Sequence, residues 1–157
     1  MGQNEALYNL PLSKSWGHPS QTLDTSQDWI EPPVNNPDYV FATIKAGTLG
    51  QSHDGGKSWI DLVKQGPYDT HTLATHPKAP KRVYSSAGDG YFESFDYGES
   101  WTSPMEGLKH SYLYGLAVDS GNPQVVLVSA SIGPNKAYST ENAESFVYRR
   151  NEDGKKW

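Results

Sequence analysis

The strongest constraint on this chain is an eight-residue segment that recurs at a nearly fixed interval. Ser52-His53-Asp54-Gly55-Gly56-Lys57-Ser58-Trp59 returns as Ser94-Phe95-Asp96-Tyr97-Gly98-Glu99-Ser100-Trp101. A weaker copy is Arg150-Asn151-Glu152-Asp153-Gly154-Lys155-Lys156-Trp157, and Lys14-Ser15-Trp16 has the ending of another. The four tryptophans that close these segments lie 43, 42 and 56 residues apart, the last interval being one period plus 14 residues. A second marker keeps step: Pro37, Pro80 and Pro123 follow Trp16, Trp59 and Trp101 by 21, 21 and 22 residues. Three residues beyond each proline stands a valine (Val40, Val83, Val126) in an apolar stretch. Two markers in one register define a repeat, and self-similarity at such a period decides architecture before local propensity does.

Each unit has room for four short strands. In the second unit they are expected at about 70–75, 82–87 and 91–94, with a fourth starting at Trp101. A repeat of this length with four strands has the size of a propeller blade, and no amphipathic helical period competes with it. Fifteen glycines and eleven prolines suit short strands joined by tight turns. The expected fold class is all-β, built of β-propeller blades of four antiparallel strands, about three blades in all, hence a partial propeller. The expected division is a remnant of a preceding blade at 1–21 and blades at 22–64, 65–107 and 108–157. The last carries an inserted loop at 132–145 and lacks its final strand. Such a chain implies either a missing remainder of the propeller or a second copy completing the ring.

The pattern S-x-D-x-G-x-x-W resembles the Asp-box, or BNR, repeat. That family includes sialidase-like propellers, xyloglucan-cleaving enzymes, sortilin-like receptors and photosystem II assembly factors. The repeat length is also similar to that of WD40/YVTN-like arrays. The resemblance covers nearly the whole chain. Two copies are complete, and the third departs by placing Arg150 and Glu152 at the Ser and Asp positions. It implies a hairpin turn in which Asp54 and Asp96 accept backbone N–H groups of their own turn. Gly56 and Gly98 would supply positive φ, while Trp59 and Trp101 bury their rings. These are structural roles, and the motif marks fold better than function.

A site is expected at the opposite end of the blades, where the innermost strand begins and the loop between the second and third strands emerges. Counted back from the marker proline, the ninth positions are Asp28, His71 and Tyr114. The eleventh are Ser26, Asp69 and Tyr112, and the thirteenth Asp24, Pro67 and His110. Ile30, Leu73 and Leu116 are expected instead to pack between blades. Loops add Lys45–Gly47, Asp89 between two glycines, and the insertion with Tyr138, Glu141, Asn142 and Glu144. The expected binding set is therefore Asp28, Trp29, Asp69, His71, Asp89, His110, Tyr112 and Tyr114. Candidates for catalysis are Asp28, Asp69, His71 and Glu141. His76, beside Pro77, is expected at the surface, His53 lies in a turn at the other end, and Phe146 and Tyr148 are expected to pack. A polar mouth lined with aromatic rings suits ligand binding.

Several classes are excluded. A formal net charge of −5 with only three arginines gives no footprint for nucleic acid. Without cysteine there is neither a disulfide framework nor a thiolate site, and the five histidines lack ligand-like spacing, so neither metal nor cofactor is expected. No apolar run reaches the roughly 18 residues that span a bilayer. Met1–Glu5 has neither the basic nor the apolar segment of a secretory signal, which points to the cytoplasm. The functional expectation is a non-catalytic scaffold presenting its loop face to a protein or carbohydrate. The alternative suggested by the resemblance is a glycoside hydrolase using two carboxylates, such as Asp28 with Asp69, with Glu141 or Glu144 supplying another from the loop. A true sialidase is not expected, because Arg82, Arg149 and Arg150 do not draw a convergent triad.

Overall fold

The computed structural model describes residues 27–31, 36–44, 48–61, 65–139, 141 and 143–157, and of 27–31, 44, 48 and 61 the backbone alone. Lys14–Trp16, Asp24, Ser26, Lys45–Gly47 and Asn142 lie outside the described residues. The chain is all-β and forms three antiparallel sheets, each an up-and-down meander. The first contains β1 (Gln27–Glu31), β2 (Val40–Ile44), β3 (Thr48–Ser52) and β4 (Ile60–Asp61) in that order. The second contains β5 (Thr70–His76), β6 (Ala79–Ala87) and β7 (Gly90–Ser94). The third contains β8 (Tyr112–Val118), β9 (Val126–Ser131) and β10 (Ser145–Arg149). A one-turn helix, α1 (Pro134–Ala137), lies in the loop between β9 and β10. The three sheets stack face to face as blades of a partial propeller, with β5 packed between β1 and β8.

The second sheet is covered on both sides, which explains why β6 is buried from Arg82 to Ala87 without alternation. Val83 turns towards the first sheet, in a cluster with Phe41, Leu49, Leu73 and Trp101. Tyr84 turns the other way, packing with Tyr91, Leu113, Val126, Val128 and Ala130. Side-chain donors then sew the second sheet to backbone carbonyls of the third. Thr72 Oγ1 donates to Tyr114 at 2.8 Å, Lys78 Nζ to Gly121 at 2.8 Å and Arg82 Nη1 to Pro123 at 2.9 Å. These partners are 41–43 residues apart, one repeat, so equivalent positions of adjacent blades touch.

His76 belongs to this seam and corrects the expectation of a surface residue. It is 3% exposed, with Nε2 donating to the Asp119 carbonyl at 2.9 Å and Nδ1 accepting the Lys78 N–H at 3.2 Å. The turn at Pro77 is exposed, but the ring folds back between the sheets.

The two complete eight-residue turns are built alike. Ser52 Oγ accepts the Gly56 N–H at 2.8 Å and Ser94 Oγ that of Gly98 at 2.7 Å. Asp54 Oδ1 accepts the Ser58 N–H at 2.8 Å and Asp96 Oδ1 that of Ser100 at 2.9 Å. Each tryptophan donates Nε1–H to the turn glycine's carbonyl at 3.0 Å. Gly56 and Gly98 both have φ near +85°, the left-handed region where a side chain is strained. In the third copy Asn151 takes over from the expected Asp position, its Oδ1 accepting the N–H groups of Lys155 and Lys156 at 3.0 Å.

Arg150, freed from the turn, reaches 57 residues back to Glu93 on β7. Its Nη1 and Nη2 donate to the Glu93 carboxylate at 2.8 and 3.1 Å, and Arg82 Nη2 donates at 2.5 Å. All three side chains are 4–5% exposed. Burial alone would raise the Glu93 carboxyl; hydrogen bonds and charge from Arg150 and Arg82 outweigh it and hold it below the ordinary value. Two of the three arginines thus meet on a buried carboxylate within the core, while Arg149 pairs with Glu152. The fourth strand expected from Trp101 is reduced to one reciprocal bridge between Glu93 and Thr102, because Pro104 follows and has no N–H to extend a ladder.

Candidate functional site

All three innermost strands lose register at one place. The shift falls between Gln27 and Trp29 in β1, between Thr70 and Thr72 in β5, and between Leu113 and Leu116 in β8. The irregular residues are Asp28, His71 and the pair Tyr114–Gly115, so the ninth position before each marker proline is a β-bulge. A bulge re-aims a side chain. Leu73 stands two residues from His71, and in a regular strand both would share a face. Instead Leu73 is buried towards the first sheet, while His71 crosses to the third. Its Nδ1 donates to the Leu113 carbonyl at 2.6 Å, and its ring lies 5.2 Å from that of Tyr112 and 4.8 Å from that of Tyr114.

Asp69 stands beside this ring, with Oδ2 3.5 Å from His71 Nε2. Its backbone is clamped by the β6–β7 turn: the Asp69 carbonyl accepts the Gly88 N–H at 2.8 Å. Asp89 accepts the N–H groups of Tyr68 and Asp69 at 3.2 and 3.3 Å, so its carboxylate staples two loops together. Gly88 makes the approach possible, since a Cβ there would meet Asp69 Oδ2 at 2.2 Å and Tyr112 Cε2 at 3.3 Å.

On its other side Tyr112 meets the insertion. Tyr138, just past α1, places its hydroxyl 3.2 Å from that of Tyr112. Its ring stands nearly perpendicular to Tyr112 (78°) and Tyr114 (87°), each at 6.4 Å. Burial, then the Tyr138 hydroxyl and the charge of Asp69, raise the Tyr112 phenol above its ordinary value. Ser129, Ala130 and Ser131 of β9, with Ala137 and Ser145, complete a cleft of ≈190 Å³ around the three tyrosines. Ser131 is 4% exposed, and its Oγ has no hydrogen-bond partner among the described residues. The loop above is braced by an ion pair between Lys136 and Glu144 at 3.2 Å.

Of the expected binding residues, the structure gathers Asp69, His71, Tyr112, Tyr114 and Asp89. His110 goes elsewhere: it stacks on Phe146 at 4.0 Å and bonds the Tyr148 hydroxyl at 2.5 Å, at the edge of the third sheet. Glu141 is exposed, and the side chains of Asp28 and Trp29 lie outside the described residues. Ser131 was not singled out from sequence, and Tyr138 was named only within the insertion over this face, outside the expected binding set. Among the described residues no group of three His, Asp or Glu side chains is placed to hold a metal.

An all-β chain of stacked antiparallel blades whose inner strands converge on one face is a β-propeller segment, and solved structures bear this out. It is similar to an ancestral GH74 enzyme (17% identity, TM-score 0.66, covering 80% of this chain and 19% of that one). The Niastella koreensis GH74 enzyme gives 16% identity and TM-score 0.65, with 82% and 20% covered. The GH74 xyloglucanase from Xanthomonas campestris gives 17% and 0.60, with 83% and 21% covered. The chain therefore spans about a fifth of the length of these structures, and the likeness is one of fold. No family model and no curated protein sequence matches it.

Proposed function

We propose that this chain is part of a non-catalytic propeller of the Asp-box type that holds a protein or glycan partner at its loop face. The observation that carries the reading is the tyrosine cleft. Tyr114 and Tyr138 are 54% and 66% exposed at its rim, above a buried serine hydroxyl that nothing in the described chain satisfies. Exposed aromatic rings over an unspent polar group form a recognition surface rather than a packed interior. The matching hydrogen bonds of the two complete turns support the Asp-box assignment. Glycoside hydrolysis needs two carboxyl groups flanking one bond. Among the described residues none lines the cleft, and Asp89 and Glu144 already serve loop structure.

The test exposes the chain and its Tyr138→Ala variant to a glycan array and a peptide array, with aryl-glycoside hydrolysis measured in parallel. Binding to members of either array that the variant loses is the expected result. Turnover of a glycoside, or binding that Tyr138→Ala leaves intact, overturns the reading.

A further inference from the structure

Resting on that reading and narrowing it, we infer that the tyrosine cleft receives an alkylammonium group, such as the end of a lysine side chain on a protein partner. Hydrogen-bonding capacity comes first. The Tyr112 and Tyr138 hydroxyls meet at 3.2 Å, one donating to the other, and Ser129 Oγ accepts the Gly115 N–H at 2.7 Å. Ser131 Oγ remains buried and unpartnered among the described residues. A tyrosine-walled corner that exposes mainly apolar surface and holds no charged side chain suits a ligand with one polar head on an apolar stem.

Charge decides the sign of the head. No cationic side chain lines the cleft. The Asp69 carboxylate lies behind the Tyr112 ring, both meeting the same point beside Gly88. Glu141 and Glu144 stand on the insertion, where the cation of Lys136 is taken up by Glu144. Arg149 on β10 is paired with Glu152 at 3.6 Å. The surroundings repel an anion and favour a cation. Phenol rings attract a cation through the negative potential of their faces. A volume of ≈190 Å³ holds one extended side chain and is small for an oligosaccharide.

The test is a titration of the full chain, with tyrosine rings isotopically labelled, followed by NMR. Probes are n-butylammonium chloride, 1-butanol and methyl β-glucoside. Saturable shifts of the Tyr112, Tyr114 and Tyr138 signals are expected with butylammonium, at an affinity about tenfold above that for butanol. Asp69→Asn is expected to weaken the ammonium roughly three- to tenfold, and added salt to weaken it further. Tyr138→Ala, at an exposed position that leaves folding intact, abolishes the response. Equal shifts with butanol overturn the inference by making the cleft merely apolar. Shifts with the glucoside alone overturn it while leaving the proposed function standing. Silence towards all three probes overturns it too, and the arrays then decide the proposed function separately.

Discussion

Gly88 and Asp69 illustrate how one missing side chain shapes the site. The carboxylate oxygen occupies the space a methyl group at Gly88 would need, 2.2 Å from its position. Asp69 is a flexible side chain, 37% exposed, and can swing away. Gly88→Ala is therefore expected to change unfolding free energy by less than about 1 kcal/mol. The same variant displaces the carboxylate from Tyr112 and weakens ligand binding as much as Asp69→Asn does. Urea unfolding and the tyrosine titration separate the two effects; a large stability loss without a binding change refutes this account. The turn aspartates lend themselves to acid. Hydrogen bonds from the Ser58 hydroxyl and N–H, and from Ser52, hold Asp54 down to about 2 from 3.8. A carboxyl depressed on folding stabilises the chain above its unfolded value and loses that contribution as pH falls through the folded one. Stability is thus expected to decline between about pH 4 and pH 2, less steeply in Asp54→Asn, as urea midpoints across that range will test.

At the scale of strands and turns, spacing alone located β5, β6 and β7 to within a few residues, because tryptophan and proline markers repeat with the blade. It also placed the turns and the loop face at opposite ends. What spacing does not carry is an irregularity in the backbone. A bulge leaves no composition signal, so the crossing of His71 to the third sheet was invisible while Leu73, two residues on, was read correctly as packing. The burial of His76 was missed because its partner, the Asp119 carbonyl, lies 43 residues away. The Trp101 ring closes the core between the first two sheets at 5% exposure, against Phe41, Leu49, Leu73 and Val83. Trp101→Ala removes that ring and its bond to the Gly98 carbonyl, with an expected loss of about 3–5 kcal/mol. Trp59 makes the same bond but is only half-buried, so Trp59→Ala is expected to lose less. Urea unfolding of the pair decides; equal losses would mean that the ring's burial is not what stabilises the turn.

For the molecule as a whole, the question is what keeps the second and third sheets in one stack. Apolar packing and the seam of carbonyl bonds do much of this, but neither is specific to one pairing. Glu93 is. Its carboxylate binds Arg82 from its own sheet and Arg150 from beyond β10, and also accepts the Tyr91 hydroxyl at 3.2 Å. Arg150 lies over the rings of Tyr91 and Trp157, so the cation is held by faces as well as by charge. Trp157 in turn donates Nε1–H to the Pro104 carbonyl at 2.8 Å, tying the third turn to the segment that leaves the second sheet. Removing the anion alone leaves two buried guanidinium groups facing each other. Glu93→Gln is therefore expected to destabilise by about 3–5 kcal/mol, whereas replacing the trio with apolar side chains (Arg82→Met, Glu93→Leu, Arg150→Met) recovers most of the loss. If the trio only adds stability, the triple variant melts as one transition. If it also fixes which faces pair, that variant keeps its strand content by circular dichroism but unfolds over a broader range. The claim of a clamp fails if Glu93→Gln unfolds at the urea concentration of the parent chain.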